Sequence, residues 1–262
     1  PSYLFGTMHL NDRRLFHFSD SLYNFLHQAN EFAMEIDVEE LNNAIINFNS
    51  NDTAVLLKEV KQEQYKKLAL ELESTYGIPA DKVTKKQAWL YKQMIQAPGK
   101  TRAGEMNVFV DIYLYNIAKK NGKKLSGIEK IEDQMELYQD FGDGLVVKNK
   151  FFKKIEKELM EKLVKTYINQ DLNAINEWFK MMEPSERFKV LTKRNLNMAD
   201  RIEVMSGGNS CFFAIGAAHL PGDDGLIELL ITMGFKLEPV FSKKKLSPRK
   251  YQFTKEKMIA AL

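Results

Sequence analysis

Two histidines sit in matching surroundings near opposite ends of the chain. Ser2-Tyr-Leu-Phe-Gly-Thr-Met-His9-Leu and Cys211-Phe-Phe-Ala-Ile-Gly-Ala-Ala-His219-Leu each run from an apolar, β-prone stretch through Gly-x-x-His-Leu. A polar turn follows in both, Asn11-Asp12-Arg13 in the first and Pro221-Gly222-Asp223-Asp224 in the second. Imidazole carries protons near neutral pH and binds borderline divalent metals. Carboxylates occupy comparable places: Glu35 and Asp37 end the stretch Phe32–Asp37, and Glu129 follows Lys124–Gly127. Between Met34 and Ile36, Glu35 is a costly place for a charge unless it is paired or bound to a metal. Asp111 is a lone acid in the apolar run Val108-Phe-Val-Asp111-Ile-Tyr-Leu. Asn195 is the one polar member of the stripe Phe188, Leu191, Asn195, Met198, Ile202, Met205, with Arg194 beside it. A buried amide needs hydrogen-bond partners, structural or in a site.

Each of these residues also has a plainer explanation. Asp37 could cap the next helix, and Glu129 could be a first-turn acid favoured by the helix dipole. Asp111 and Asn195 could be structural hydrogen-bond partners, and one histidine taken alone could be as well. What argues for a shared site is the repetition of the glycine-linked histidine. His17 and His27 fit surface or packing roles. Cys211 is the only cysteine, which excludes an internal disulfide and a thiolate-rich metal site and suits a buried thiol. Ser206-Gly-Gly-Asn209 reads as a turn, and the tryptophans and methionines read as core. Neither phosphate-loop glycine pattern nor a Gly-x-Ser-x-Gly elbow occurs, which disfavours nucleotide binding and serine acyl-enzyme chemistry.

These side chains depend on the elements that carry them. Strands are expected at Tyr3–Gly6, Phe32–Asp37, Lys124–Gly127, Phe212–Gly216 and Lys236–Val240. Ser19-Asp20 caps a helix through Ala29, Asn121-Gly122 ends a helix begun near Asn107, and Gly222-Asp223 starts one that stops at Gly234. Residues 40–100 and 130–206 read as almost purely helical. The expected architecture is a single α/β domain over 1–262, with helical insertions at about 40–105 and 130–206. Its mainly parallel, or mixed, central sheet is built from two β-GxxH-α-β units. Right-handed crossovers put the strand carboxyl ends on one side, where ligands bind in open α/β sheets. Position alone therefore gathers His9, Glu35, Glu129 and His219 at one edge.

Bulk properties set the partners. With 262 residues, 44% hydrophobic and 28% charged, the composition is that of an ordinary globular protein. A net charge of +3 is too small to imply a nucleic acid or other polyanion, and the basic cluster between Lys243 and Lys257 reads as a solvated tail. No apolar run is long enough to span a membrane. Pro1 stands directly before a strand with no initiator Met, so a trimmed or mature chain is expected. An exported, periplasmic or extracellular bacterial protein whose signal region is missing would fit that beginning. The expected partner is a peptide or small-molecule substrate, with oligomeric state left open.

Tyr-Leu-Phe-Gly-Thr-Met-His9, Glu35-Ile-Asp37, Gly127-Ile-Glu129, Lys193-Arg194-Asn195 and Ala-Ile-Gly-Ala-Ala-His219-Leu-Pro-Gly-Asp-Asp-Gly-Leu together resemble the TraB/GumN family. That family includes the Tiki-type metalloproteases and bacterial pheromone-shutdown proteins, with erythromycin esterases and the ChaN haem-binding proteins as distant relations. The resemblance runs from the first residue to about Val240. It implies an active site containing His9 and His219, with Glu35 as the acid ending the second strand. It places Asp111, Glu129, Arg194 and Asn195 on recurrent polar positions. In the Tiki branch it implies a peptidase dependent on Mn²⁺ or Co²⁺, and Zn²⁺ would suit the same ligands.

The expectation is a metal-dependent hydrolase, most plausibly a peptidase. His9, His219 and one carboxylate, Glu35 before Glu129, would hold the ion, the other acid would be the general base, and Arg194 or Asn195 would steady an oxyanion. Two alternatives stand beside it. One is a metal-independent, esterase-like hydrolase with a histidine base held by Glu35. The other is a non-catalytic protein binding a peptide or haem in the same crevice.

Overall fold

In this computed structural model the described residues are 1–40, 108–130 and 150–240, with isolated positions at 62, 66, 69, 70, 106 and 133. The elements in chain order are β1 (Tyr3–Thr7), α1 (Asp20–Gln28), β2 (Glu31–Met34), α2 (Val110–Lys120), β3 (Lys124–Gly127), α3 (Lys150–Ile168), α4 (Leu172–Lys180), α5 (Lys193–Gly208), β4 (Cys211–Gly216) and α6 (Leu226–Thr232). Short 3-10 turns at Arg13–Phe16 and Ala217–His219 follow β1 and β4. A helical turn at Pro184–Arg187 and a π-helical segment at Phe188–Thr192 lead into α5.

The four strands form a wholly parallel sheet in the order β1-β4-β2-β3. Alternation sorts the strand side chains to two faces. Phe32, Met34, Phe212 and Ala214 pack with Leu22 and Leu26 of α1 and Val110, Leu114 and Ile117 of α2. Ala33, Cys211, Phe213 and Ile215 pack on the other face with Met198, Ile202 and Met205 of α5 and Leu226 and Leu230 of α6. The result is a sheet between two helical layers, the α/β architecture expected of alternating strands and helices. Burying one such Phe, Leu or Met side chain stabilises by about 1.5–3 kcal/mol, so packing on both faces holds strands of only four to six residues.

Local signals explain several boundaries. Ser19 Oγ accepts the Leu22 N–H to start α1, and Asp171 does the same for Ala174 at the head of α4. At the end of α2, Gly122 takes φ +66°, the left-handed conformation that lets the chain turn into β3. Along the π-helical segment and α5, Leu191, Asn195, Met198, Ile202 and Met205 are buried as the stripe implies, whereas Phe188 is exposed because the π-helical segment rotates it off that face.

The structure corrects other expectations. Residues Lys236–Val240 form no strand, so the second glycine-histidine unit ends in α6 without a closing strand, and β4 instead lies between β1 and β2. The second strand stops at Met34, leaving Glu35 to Asp37 in a bend, so Glu35 and Asp37 do not share a strand face. Ser206 to Gly208 continue α5, with only Asn209 outside it. Cys211 is fully buried, and His17 and His27 are exposed. Nearly all of the expected insertion at 40–105, and the basic cluster at 243–257, lie outside the described residues.

Candidate active site

The register fixes what meets at the carboxyl edge. Thr7 pairs with Gly216 across β1 and β4, so His9 and His219 leave adjacent strands two and three residues further on. Beyond β2 and β3 the ladder continues by one pair, the Glu129 N–H donating to the Glu35 carbonyl at 2.8 Å. Glu35 and Glu129 therefore emerge side by side. Glu35 turns to the α5 side of the sheet, where Arg194 of that helix meets it.

Arg194 of α5 joins these two acids. Its Nε and Nη2 donate to the two oxygens of Glu129 at 2.7 and 2.6 Å, and Nη2 also reaches Glu35 Oε2 at 2.7 Å. A two-pronged guanidinium–carboxylate pair is the strong form of ion pair. Its Nη1 donates to the Val190 carbonyl at 3.1 Å, inside the π-helical segment. Glu129 is almost fully buried and Arg194 nearly so, which makes each dependent on the other. Burial alone would raise the Glu35 carboxyl. Arg194, then His219, and the Gly216 N–H at 2.8 Å outweigh it and hold Glu35 at about 2.

His219 is oriented by Asn195. The Asn195 Nδ2 donates to the Asp224 main-chain carbonyl at 2.7 Å, which leaves its Oδ1 facing His219 Nδ1 at 2.6 Å. An amide oxygen only accepts, so Nδ1 carries the hydrogen and Nε2 carries the lone pair. That Nε2 lies 4.0 Å from Glu35 Oε1. Burial, seconded by the charge of Arg194, outweighs the attraction of Glu35 and pulls the imidazole down to about 4. His219 is thus neutral and Glu35 ionised across the physiological range.

His9 is built differently. Its Nδ1 lies 2.7 Å from Asp111 Oδ2 and its ring lies against Phe109, centroids 4.0 Å apart, so it is held from the α2 side of the sheet. Its side chain is 44% exposed against 5% for His219. The paired motifs therefore give one solvent-facing and one buried imidazole, with Nδ1 against an oxygen acceptor in each.

The expected site residues thus fall into two groups on one sheet edge: Glu35, Glu129, Arg194, Asn195 and His219 in one, His9 and Asp111 in the other. Asp37 is absent from both and caps the following turn, accepting from the N–H groups of Glu39 and Glu40. Sequence reasoning missed Tyr167, whose buried hydroxyl donates to the Gly6 carbonyl at 2.8 Å beside the first motif. It also gave no part to Arg187, Thr192 or Asp224, which brace Asn195 from behind. The Tyr167 and Asn195 bonds run to main-chain carbonyls, and the Asp224 pairs join residues 32 and 37 positions apart, so neither leaves a trace in local pattern.

As for a metal, His219 Nε2 and the Glu35 carboxylate are suitable donors for a borderline divalent ion, and a ligating histidine characteristically donates its other N–H to an oxygen. Among the described residues, no group of three or more His, Cys, Asp or Glu side chains is already gathered for one. A third ligand would have to approach the His219–Glu35 pair.

A parallel α/β sheet with histidine turns beside a guanidinium-bridged carboxylate pair defines a class of protein rather than a single activity. The profile of the TraB/PrgY/gumN family matches residues 1–239, and the chain belongs to that family. Searches of curated proteins and of solved structures found no match.

Proposed function

We propose that this protein is a metal-dependent hydrolase of peptide bonds, working at the edge formed by His9, His219 and Glu35. The observation that carries the reading is the His219–Glu35 pair, a neutral imidazole with its Nε2 lone pair 4.0 Å from an ionised carboxylate at neutral pH. A general base works best with a pKa near the working pH, and groups held at about 4 and about 2 are weak proton acceptors there but ready ligands. His219 Nε2 and Glu35 Oε1 would hold the ion, with His9 as the third ligand. Mn²⁺ or Co²⁺ is the choice that the resemblance to the Tiki branch implies, and Zn²⁺ suits the same donors. The ion, when bound, would acidify a water and polarise the scissile carbonyl.

The remaining residues prepare that centre. Asn195 fixes the His219 ring, and Arg194 holds Glu35 ionised while it bridges Glu35 and Glu129. With both ends of its amide engaged, Asn195 orients the imidazole and is not left to bind an oxyanion. Arg194 supplies positive charge beside Glu35, where negative charge would develop on the substrate.

A second reading rests on the His9–Asp111 pair. An exposed imidazole held by a carboxylate is the arrangement of a general base, and it could take a proton from water with no metal present. Chelation separates the two. Under the first reading, EDTA abolishes cleavage of a mixed peptide library and Mn²⁺, Co²⁺ or Zn²⁺ restores it, while His219→Ala stays inactive with every ion. Turnover that persists after exhaustive chelation, and is lost in His9→Ala, contradicts the metal reading and supports the second.

A further inference from the structure

We propose that Asp224 is a positioning residue that selects the tautomer of His219, acting through the amide of Asn195. This rests on the reading of His219 as a working group of the site. Asp224 lies in the turn between the 3-10 segment Ala217–His219 and α6. Its carboxylate is gripped at both oxygens: Arg187 Nη2 donates to Oδ1 at 2.5 Å and the Thr192 hydroxyl donates to Oδ2. Those two donors flank the π-helical segment that delivers Arg194 and Asn195. So anchored, the residue offers its main-chain carbonyl to Asn195 Nδ2 at 2.7 Å.

The turn itself has little freedom. A Cβ on Gly225 would stand 2.3 Å from the Pro221 carbonyl oxygen and 2.5 Å from that of Leu220. Gly222 has φ +95°, and a Cβ there would come 2.8 Å from Asn176 Oδ1. The Asp224 carbonyl is therefore held in place from both ends of the π-helical segment, in a turn that admits no side chain at Gly222 or Gly225.

That carbonyl makes a two-way choice. While it accepts from Nδ2, Oδ1 must face His219, and the ring hydrogen must sit on Nδ1. Were the carbonyl to swing away, the amide could turn over and present Nδ2 to the ring. The lone pair would then move to Nδ1 and the hydrogen to Nε2. Glu35 Oε1, 4.0 Å from Nε2, favours that second form, since a carboxylate attracts an N–H. Left to Glu35 alone the ring would turn a hydrogen toward the carboxylate and lose its outward lone pair. The Asp224 anchor opposes this bias.

The test reads the tautomer directly. Long-range ¹H–¹⁵N spectra of the ¹⁵N-histidine-labelled chain, with no metal added, resolve four histidines. His219→Gln identifies the relevant pair of nitrogen signals. The unsubstituted chain is expected to show a protonated Nδ1 and a lone-pair Nε2. In Asp224→Ala the two shifts should move toward each other, with peptidase kcat reduced about tenfold and KM little changed. Asp224→Asn, which can still accept one of the two anchoring bonds, should recover part of both. Unchanged nitrogen shifts in folded Asp224→Ala overturn the proposal. If that variant does not fold, Thr192→Val, which removes one anchor and keeps the shape, must show the same movement in smaller degree, and its absence is equally fatal. Failure to cleave any peptide in the unsubstituted chain would sink the hydrolase reading while leaving the tautomer result to stand or fall by itself.

Discussion

At the scale of single residues, the site turns on one buried cation holding two anions. Removing Arg194 leaves Glu35 and Glu129 side by side, the latter without access to water. Breaking a buried pair by deleting one partner costs roughly 3–5 kcal/mol, and Arg194→Ala should lose stability on that order in urea unfolding. Adding Glu129→Gln removes the repulsion and should recover part of the loss. A double variant no more stable than the single one would show that like-charge repulsion is not the cause. Glu35, Glu129 and Asn195 were legible in sequence because each is a polar residue at an apolar or strand-end position, and Arg194 only because it stands beside Asn195. The split of the two histidines into exposed and buried partners was not. It arises from neighbours 102 and 24 residues away, Asp111 for His9 and Asn195 for His219.

At the scale of elements, the glycine-histidine turns work through close approach. A Cβ on Gly216 would lie 2.9 Å from Glu35 Oε1, an atom already held by the Gly216 N–H. On Gly6 it would lie 2.9 Å from Leu220 Cδ1, the flexible end of an aliphatic side chain, and 3.1 Å from the Ala217 Cβ. Gly216→Ala should therefore depress activity at least tenfold by displacing Glu35. Gly6→Ala should cost about 1–3 kcal/mol of stability through overpacking and leave more activity behind. Equal activity in the two variants, measured per folded molecule, would contradict this division. Sequence patterning found β1, β3, β4 and α1 to within one or two residues, because caps and apolar runs are local. It placed a strand at Lys236–Val240, which is exposed except for Leu237 and includes Pro239, and β-propensity cannot make a strand without a neighbouring edge. Strand order is set by long-range packing, so β4 lying between β1 and β2 could not be read from the chain.

At the scale of the whole molecule, two site groups should shape stability against pH in the metal-free protein. His219 is held at about 4 against an ordinary 6.5, so the unfolded chain binds that proton first on acidification. Its contribution is complete above about 6.5 and is lost between there and about 4. Glu35 is held at about 2 against 4.5, and its contribution is lost between those values, also toward acid. Urea midpoints should therefore be level above neutrality and fall steadily below it. His219→Ala should remove the upper part of the fall and keep the lower, and a midpoint that rises on acidification between pH 6.5 and 4 would contradict the assignment. The α/β class and the shared edge were legible because alternating strands and helices leave few topologies. Which of the side chains at that edge touch was not, because patterning fixes where side chains emerge and not the last few ångströms of their approach. The most direct measurement is anomalous diffraction from crystals grown with Co²⁺. The expected result is a cobalt peak bonded by His219 Nε2 and Glu35, with the His219 Nδ1–H still on Asn195. A fully active crystal with cobalt bound elsewhere, or with none at this edge, would contradict the account.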